Sequence, residues 1–129
     1  MADYAPSNSA PLSDWVFQLF AAVNQQRLAS YSSTHLRLRL KLNEIAQKYA
    51  DDKTTPADAV QALSDFGATS EKAAFISTEA DSVDAAINSL HKVSAKDPAR
   101  KAMRNPDFHF AGVGTNTGYW VVVFSSDLN

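Results

Sequence analysis

Val16, Leu19, Phe20 and Val23 fall at i, i+3, i+4 and i+7, the stripe of an amphipathic helix. Ser13 is its natural N-cap, Asp14 suits the positive end of the helix dipole, and the helix should fray near Ser30–Ser33. Leu36-Arg-Leu-Arg-Leu-Lys-Leu42 then alternates strictly, which is strand spacing. Yet Leu38, Leu42, Ile45, Ala46 and Tyr49 also make a helical stripe. Together the two patterns predict an extended lead-in that turns helical near Leu38–Leu40 and runs to Asp51. A third helix is marked by Thr55 as cap, Pro56 at the first helical position and Asp58 closing a Thr-x-x-Asp box. Val60 and Leu63 would face inward, and Gly67 would end it. Ala73–Thr78 reads as a short strand. Asp81 or Ser82 caps a fourth helix, with Val83, Ala86, Ile87 and Leu90 as its buried stripe. Asp97-Pro98 opens a short helix over Ala99–Met103, and Asn105-Pro106 stops it, because a residue before proline avoids the helical region.

The remaining segment is patterned as strand, turn, strand. Phe108, Phe110 and Gly112 alternate with His109, Ala111 and Val113. Thr115-Asn116-Thr117-Gly118 tolerates the positive φ of a tight reversal. Trp120, Val122 and Phe124 then oppose Tyr119, Val121 and Val123. A strand apolar on both faces is covered on both faces, so this one should be central in its sheet. The element order predicts an α+β fold with a mostly antiparallel central sheet and helices packed on its faces, a three-layer α–β–α sandwich. Phe20, Leu63, Ile87, Phe110, Trp120 and Phe124 are the expected leaders of the core.

Composition narrows the picture. The chain of 129 residues reads as one domain over 13–129 behind a flexible, proline-bearing tail over 1–12. It contains no cysteine, so disulfides and thiolate sites are excluded and the fold must rest on packing alone. The net charge of −2, with no long block of like charge, argues against a nucleic-acid partner. No apolar run approaches the roughly 20 residues of a membrane-spanning helix. No signal peptide is visible, and the polar start reads as the mature end of a secreted protein whose leader has been removed.

Three spaced elements carry a family resemblance: Asn105-Pro106-Asp107-Phe108, Gly112-Val113-Gly114, and Tyr119-Trp120 with Phe124. They resemble the closing hairpin of the CAP superfamily, the cysteine-rich secretory proteins, antigen 5 and pathogenesis-related 1 proteins. Further back, Ala99–Pro106 resembles the family's Gly-His-Arg-x-x-Ile-Leu-Asn-Pro run, with Arg100 on the Arg. Ile45–Ala50 resembles its second-helix Ala-Gln-x-x-Ala segment, and Val23-Asn24-Gln25-Gln26-Arg27 its opening Val-Asn-x-x-Arg. The resemblance spans Asp14 to Ser126 and implies the α–β–α sandwich.

Many members of that family hold a divalent metal with two His and one or two Glu. Here Ala50-Asp-Asp-Lys-Thr-Thr55 replaces the loop that carries the first His, and Ala99 stands where the second belongs. Glu71 is the candidate survivor of the Gly-Glu-Asn motif. The resemblance therefore implies a degenerate site: no catalytic residue, no metal, no cofactor, and Glu71, His91, Asp97 and Arg100 as candidate ligand-binding residues. It implies a secreted, monomeric, non-catalytic protein that binds a sterol or other lipid, or a host or cell-surface protein, in the manner of pathogenesis- and virulence-related members. The alternative is a metal-dependent hydrolase with a relocated site built from Glu71, His91 and Asp97.

Other residues read more plainly. His35 and His109 are expected at the surface, and Asp51-Asp52 at a helix exit. Arg37, Arg39 and Lys41 would line one face of an extended segment. Solvated charge is the simpler reading beside a lipid-headgroup or nucleic-acid patch, because three charges without adjacent aromatics are weak grounds for either. Trp15, Phe17 and Tyr31 are candidates for a partner surface. Gly112-Val-Gly114 lies within the hairpin and is weak grounds for a nucleotide loop.

Overall fold

A computed structural model describes residues 14–29, 36–92 and 98–127, and the side chains of these except residues 26–29, 91 and 98–100. The elements are α1 (Asp14–Ala29), β1 (Arg37–Leu38), α2 (Leu40–Asp51), α3 (Ala59–Asp65), β2 (Ala73–Glu79), α4 (Val83–His91), α5 (Pro98–Arg104), β3 (Phe110–Asn116) and β4 (Tyr119–Ser125). The strands form one sheet in the order β1-β3-β4-β2. β3 and β2 both run antiparallel to β4, the latter in register from Ala73↔Ser125 to Glu79↔Tyr119. β1 is parallel to β3 through Arg37↔Phe110 and Leu38↔Ala111.

β4 is central, as its two apolar faces predict. Trp120, Val122 and Phe124 enter one core with Val16, Leu19, Val23, Ala86, Leu90 and Met103, from α1, α4 and α5. Val121 and Val123 enter the other with Leu42, Ile45, Ala46 and Leu63, from α2 and α3. The result is three layers. The β3–β4 reversal is tighter than expected, with only Thr117 (φ 46°) and Gly118 (φ 83°) between the strands. Two consecutive positive φ values match the twist of a two-residue hairpin.

Between β3 and the layer above it there is almost no side-chain spacing. A Cβ on Gly112 would lie 2.2 Å from the carbonyl carbon of Leu42, and one on Gly114 would lie 2.5 Å from the Gln47 nitrogen. The backbone of α2 thus rests on the backbone of β3, which only glycine permits. β1 stops after Leu38, leaving the outer edge of β3 without a strand partner beyond Ala111. Side chains of α2 take over. Asn43 Oδ1 accepts from the Val113 N–H at 2.8 Å, while Gln47 Oε1 accepts from the Thr115 N–H at 3.2 Å and its Nε2 donates to the Thr115 carbonyl at 2.7 Å. Asn43 and Gln47, one helical turn apart, continue the ladder where the strand gives out.

Several expectations are corrected. The third helix begins at Ala59, with Asp58 as N-cap accepting from the Gln61 N–H at 3.1 Å, so Thr55 and Pro56 lie in the loop before it. Asp58 caps well by itself and needs no upstream box. The later start turns Val60 outward, 37% exposed, while Leu63 is fully buried. Phe108 and Phe110 do not share a face. Phe108 sits in the turn ahead of β3 and stacks on Phe124 at 5.7 Å, whereas Phe110 packs in the opposite core. Period-two alternation holds only inside a strand, and β3 starts at Phe110. Phe20, Ile87 and Phe110 are half-buried at the rim of the cores, and Leu19, Leu42, Ile45 and Met103 fill the centres beside Leu63 and Phe124. Trp15 packs edge-on against Trp120 at 5.4 Å, which makes it part of the first core rather than a partner surface. Phe17 is 40% exposed.

Candidate functional site

Glu71 lies two residues ahead of β2, at the end of the sheet where β4 finishes and the chain approaches β3. Its backbone N–H donates to Asp127 Oδ1 at 2.8 Å. Around that carboxylate is a compact set of hydroxyls. Ser126 Oγ donates to Asp127 Oδ1 at 2.8 Å and accepts from the Lys72 N–H at 2.9 Å. Ser70 Oγ lies 2.7 Å from the Lys72 carbonyl and 3.3 Å from Asp127 Oδ1. Ser125 Oγ lies 2.6 Å from Ser70 Oγ and also contacts the Asp127 carbonyl oxygen. Lys72 Nζ closes the outside of the cluster with a 2.7 Å ion pair to Asp107. These groups tie the end of β4 to the start of β2. Ser70 and Ser125 are only 5% and 0% exposed, and their hydroxyls are bonded to each other, to carbonyls and to the Asp127 carboxylate. As candidate nucleophiles they lack access.

A second polar cluster sits at the other end, beside the β3–β4 reversal. Asp51 Oδ1 accepts from Gln47 Nε2 at 2.9 Å and Asn116 Nδ2 at 2.8 Å, binding the end of α2 to the end of β3. Lys53, with φ 51°, reverses the chain after the helix, and the residues up to Asp58 carry no imidazole.

The electrostatics are uniform in sense. Donation from Gln47, then from Asn116, holds the Asp51 carboxyl below its ordinary 3.8. The Lys72 hydrogen bond and charge lower Asp107, and the same bridge raises Lys72. The Glu71 N–H, then the Ser126 hydroxyl, lower Asp127. Each shift favours the charged form. A carboxyl lowered on folding contributes stability that is complete above the ordinary value of 3.8 and is lost as pH falls through the lower folded value. In thermal melts at a series of pH values, Asp127→Asn should be less stable than the parent near neutrality. The gap should close in acid, below the carboxylate range. A gap that stayed constant or widened in acid would remove Asp127 from the clasp.

Of the candidate ligand-binding residues, Glu71 is exposed beside this clasp. His91 is the last residue of α4 and Arg100 lies in α5, but both side chains lie outside the described set, as does Asp97 altogether. His35 and Tyr31 are also outside it, and His109 is exposed. Among the described residues no group of three or more His, Asp or Glu is placed to hold a metal ion. The serine clasp was not visible to sequence reasoning. Asn43 and Gln47 could have been found as polar residues one turn apart, flanking an apolar stripe and facing two closely spaced glycines.

The fold has clear counterparts among solved structures. An extracellular protein containing an SCP domain from Bacillus anthracis superimposes with a TM-score of 0.71 at 17% identity, covering 91% of this chain and 45% of that one. A cysteine-rich secretory protein from Staphylococcus aureus gives 0.71 at 19% identity, covering 93% and 42%. An outer surface protein of Borrelia burgdorferi gives 0.63 at 16% identity, covering 84% and 90%. The chain spans less than half the length of the Bacillus and Staphylococcus proteins. No family model and no curated protein matches the sequence. Helices on both faces of a mixed four-stranded sheet, closed by the β3–β4 hairpin, thus give this cysteine-free chain a CAP-like fold, similar to the structures of the Bacillus and Staphylococcus proteins on which it superimposes.

Proposed function

We propose that the chain is a secreted, non-catalytic binding module of the CAP type, carrying a sterol or other lipid, or docking on a host or cell-surface protein. The fate of its polar side chains carries the reading. A general acid or base needs a pKa near the working pH, and the displaced carboxyls, Asp51, Asp107 and Asp127, all move away from neutrality under structural donors. The extracellular, secretory and outer-surface settings named for the Bacillus, Staphylococcus and Borrelia proteins support the location. Glu71, His91, Asp97 and Arg100 are assigned to ligand binding, without a metal, in a monomer whose domain covers residues 13–129.

The test is retention of a fluorescent sterol by the purified chain through gel filtration, with and without chelator, beside a calorimetric zinc titration. Chelator-insensitive retention, displaced by unlabelled sterol, with no heat of zinc binding is the expected result. Stoichiometric zinc binding with a metal-dependent rise in melting temperature would replace this reading with the relocated hydrolase. Retention of no lipid at all would move the partner to protein.

A further inference from the structure

Leu40 is the most exposed of the large hydrophobic residues described, at 55%. Arg37, Arg39 and Lys41 surround it in sequence, and all three are exposed. Among the described residues, Lys48 and Lys72 sit in ion pairs with Asp52 and Asp107, while Arg37 and Lys41 are in none. Glu44, one turn further along α2, is the nearest carboxylate in sequence, so the segment from Arg37 to Glu44 keeps a net charge of +2, from three cations and one anion.

The helix start does not ask for this charge. Arg39 occupies the N-cap position of α2 with no side-chain hydrogen bond, and the first turn holds no acid. Cations at the positive end of a helix dipole cost stability rather than add it. The segment is also held in place. Leu36, just ahead of it, is gripped by Asn24, whose Oδ1 accepts from the Leu36 N–H at 2.7 Å. The residues on either side of Leu38 are bonded to the chain at the start of β3 and just ahead of it, with the Arg37 N–H on the His109 carbonyl at 2.8 Å and the Arg39 N–H on the Ala111 carbonyl at 3.1 Å. The Arg39 guanidinium is parked 4.5 Å above the Phe110 ring. Arg37 and Arg39, two residues apart in extended chain, leave the backbone on one side with their Cα atoms about 6–7 Å apart.

We infer that Arg37, Arg39, Leu40 and Lys41 form a surface that adsorbs to anionic lipid membranes. The cations meet the headgroup phosphates, and Leu40 inserts at the acyl boundary. The chain as a whole is acidic, so long-range attraction is absent and the contact must come from this local patch. Lipid fits better than nucleic acid, because an exposed leucine gains from an acyl boundary and offers nothing for a base to stack on. The surface shares none of the residues assigned above to ligand binding, Glu71, His91, Asp97 and Arg100, so failure here would leave sterol retention untouched.

The experiment is flotation of the full chain with sterol-free vesicles, of phosphatidylcholine alone or mixed with phosphatidylglycerol. Arg37→Gln with Lys41→Gln disturbs no described contact, and a thermal melt equal to the parent checks its folding. The parent should float only with the anionic vesicles and be released at high salt. Each cation removed should weaken partitioning about fivefold, so the double variant should lose roughly 25-fold. Leu40→Ser should weaken binding while leaving its salt dependence unchanged. Equal binding to both vesicles, binding to neither, full binding by the folded double variant, or a preference for a short RNA or a soluble acidic peptide over the anionic vesicles would each overturn the assignment.

Discussion

Gly112→Ala should destabilise the protein by about 3 kcal/mol or more, a larger cost than an ordinary overpacking change. The added methyl would lie 2.2 Å from the Leu42 carbonyl carbon and 2.4 Å from the Asn43 nitrogen. Both are backbone atoms in the first turn of α2, so no side chain can rotate away. α2 must lift from the sheet, and in lifting it gives up the bonds from Asn43 to Val113 and from Gln47 to Thr115. Each buried backbone group then left without a partner adds about 1–3 kcal/mol. A urea titration of the variant reads the loss directly. A change below about 1 kcal/mol would mean that the helix yields easily, contrary to the packing described.

Trp120→Ala should cost about 3–5 kcal/mol. Trp120 is 8% exposed, packs edge-on with Trp15 and donates its indole N–H to the Ala80 carbonyl at 3.0 Å. That bond ties β4 to the loop leaving β2, so truncation leaves both a cavity and an unpaired carbonyl. The variant should also show the emission of Trp15 shifted to longer wavelength, because its partner ring has been replaced by space or water. A loss under about 1 kcal/mol in the same titration would contradict the placement of Trp120 in the first core.

Periodicity was a dependable guide wherever neighbours in sequence set the outcome. The α1 stripe and the Ser82 cap of α4 appear as expected. So do the change from extended chain to helix between Leu38 and Leu40 and the division of β4 into two faces. It misled at element boundaries. Pro56 suits a first helical turn but suits a loop equally, and Asp58 supplies the stronger cap. Phe108 and Phe110 carry a strand's spacing across a point where the strand has not yet begun. The ligand-site assignment rested on resemblance and not on pattern, so local physics could neither gather Glu71, His91, Asp97 and Arg100 into one place nor separate them.

By itself the sequence determined the order of elements, the two-faced central strand, the closing reversal and the exclusion of any thiol chemistry, because each follows from side chains a few residues apart or from composition. Only the tertiary structure decided that Gly112 and Gly114 are seats for a helix, that Asn43 and Gln47 stand in for a missing strand, and that Asp127 fastens β4 to β2. Those contacts join positions more than 50 residues apart in the chain. Their geometry depends on how closely two backbones approach, which no spacing of apolar residues encodes.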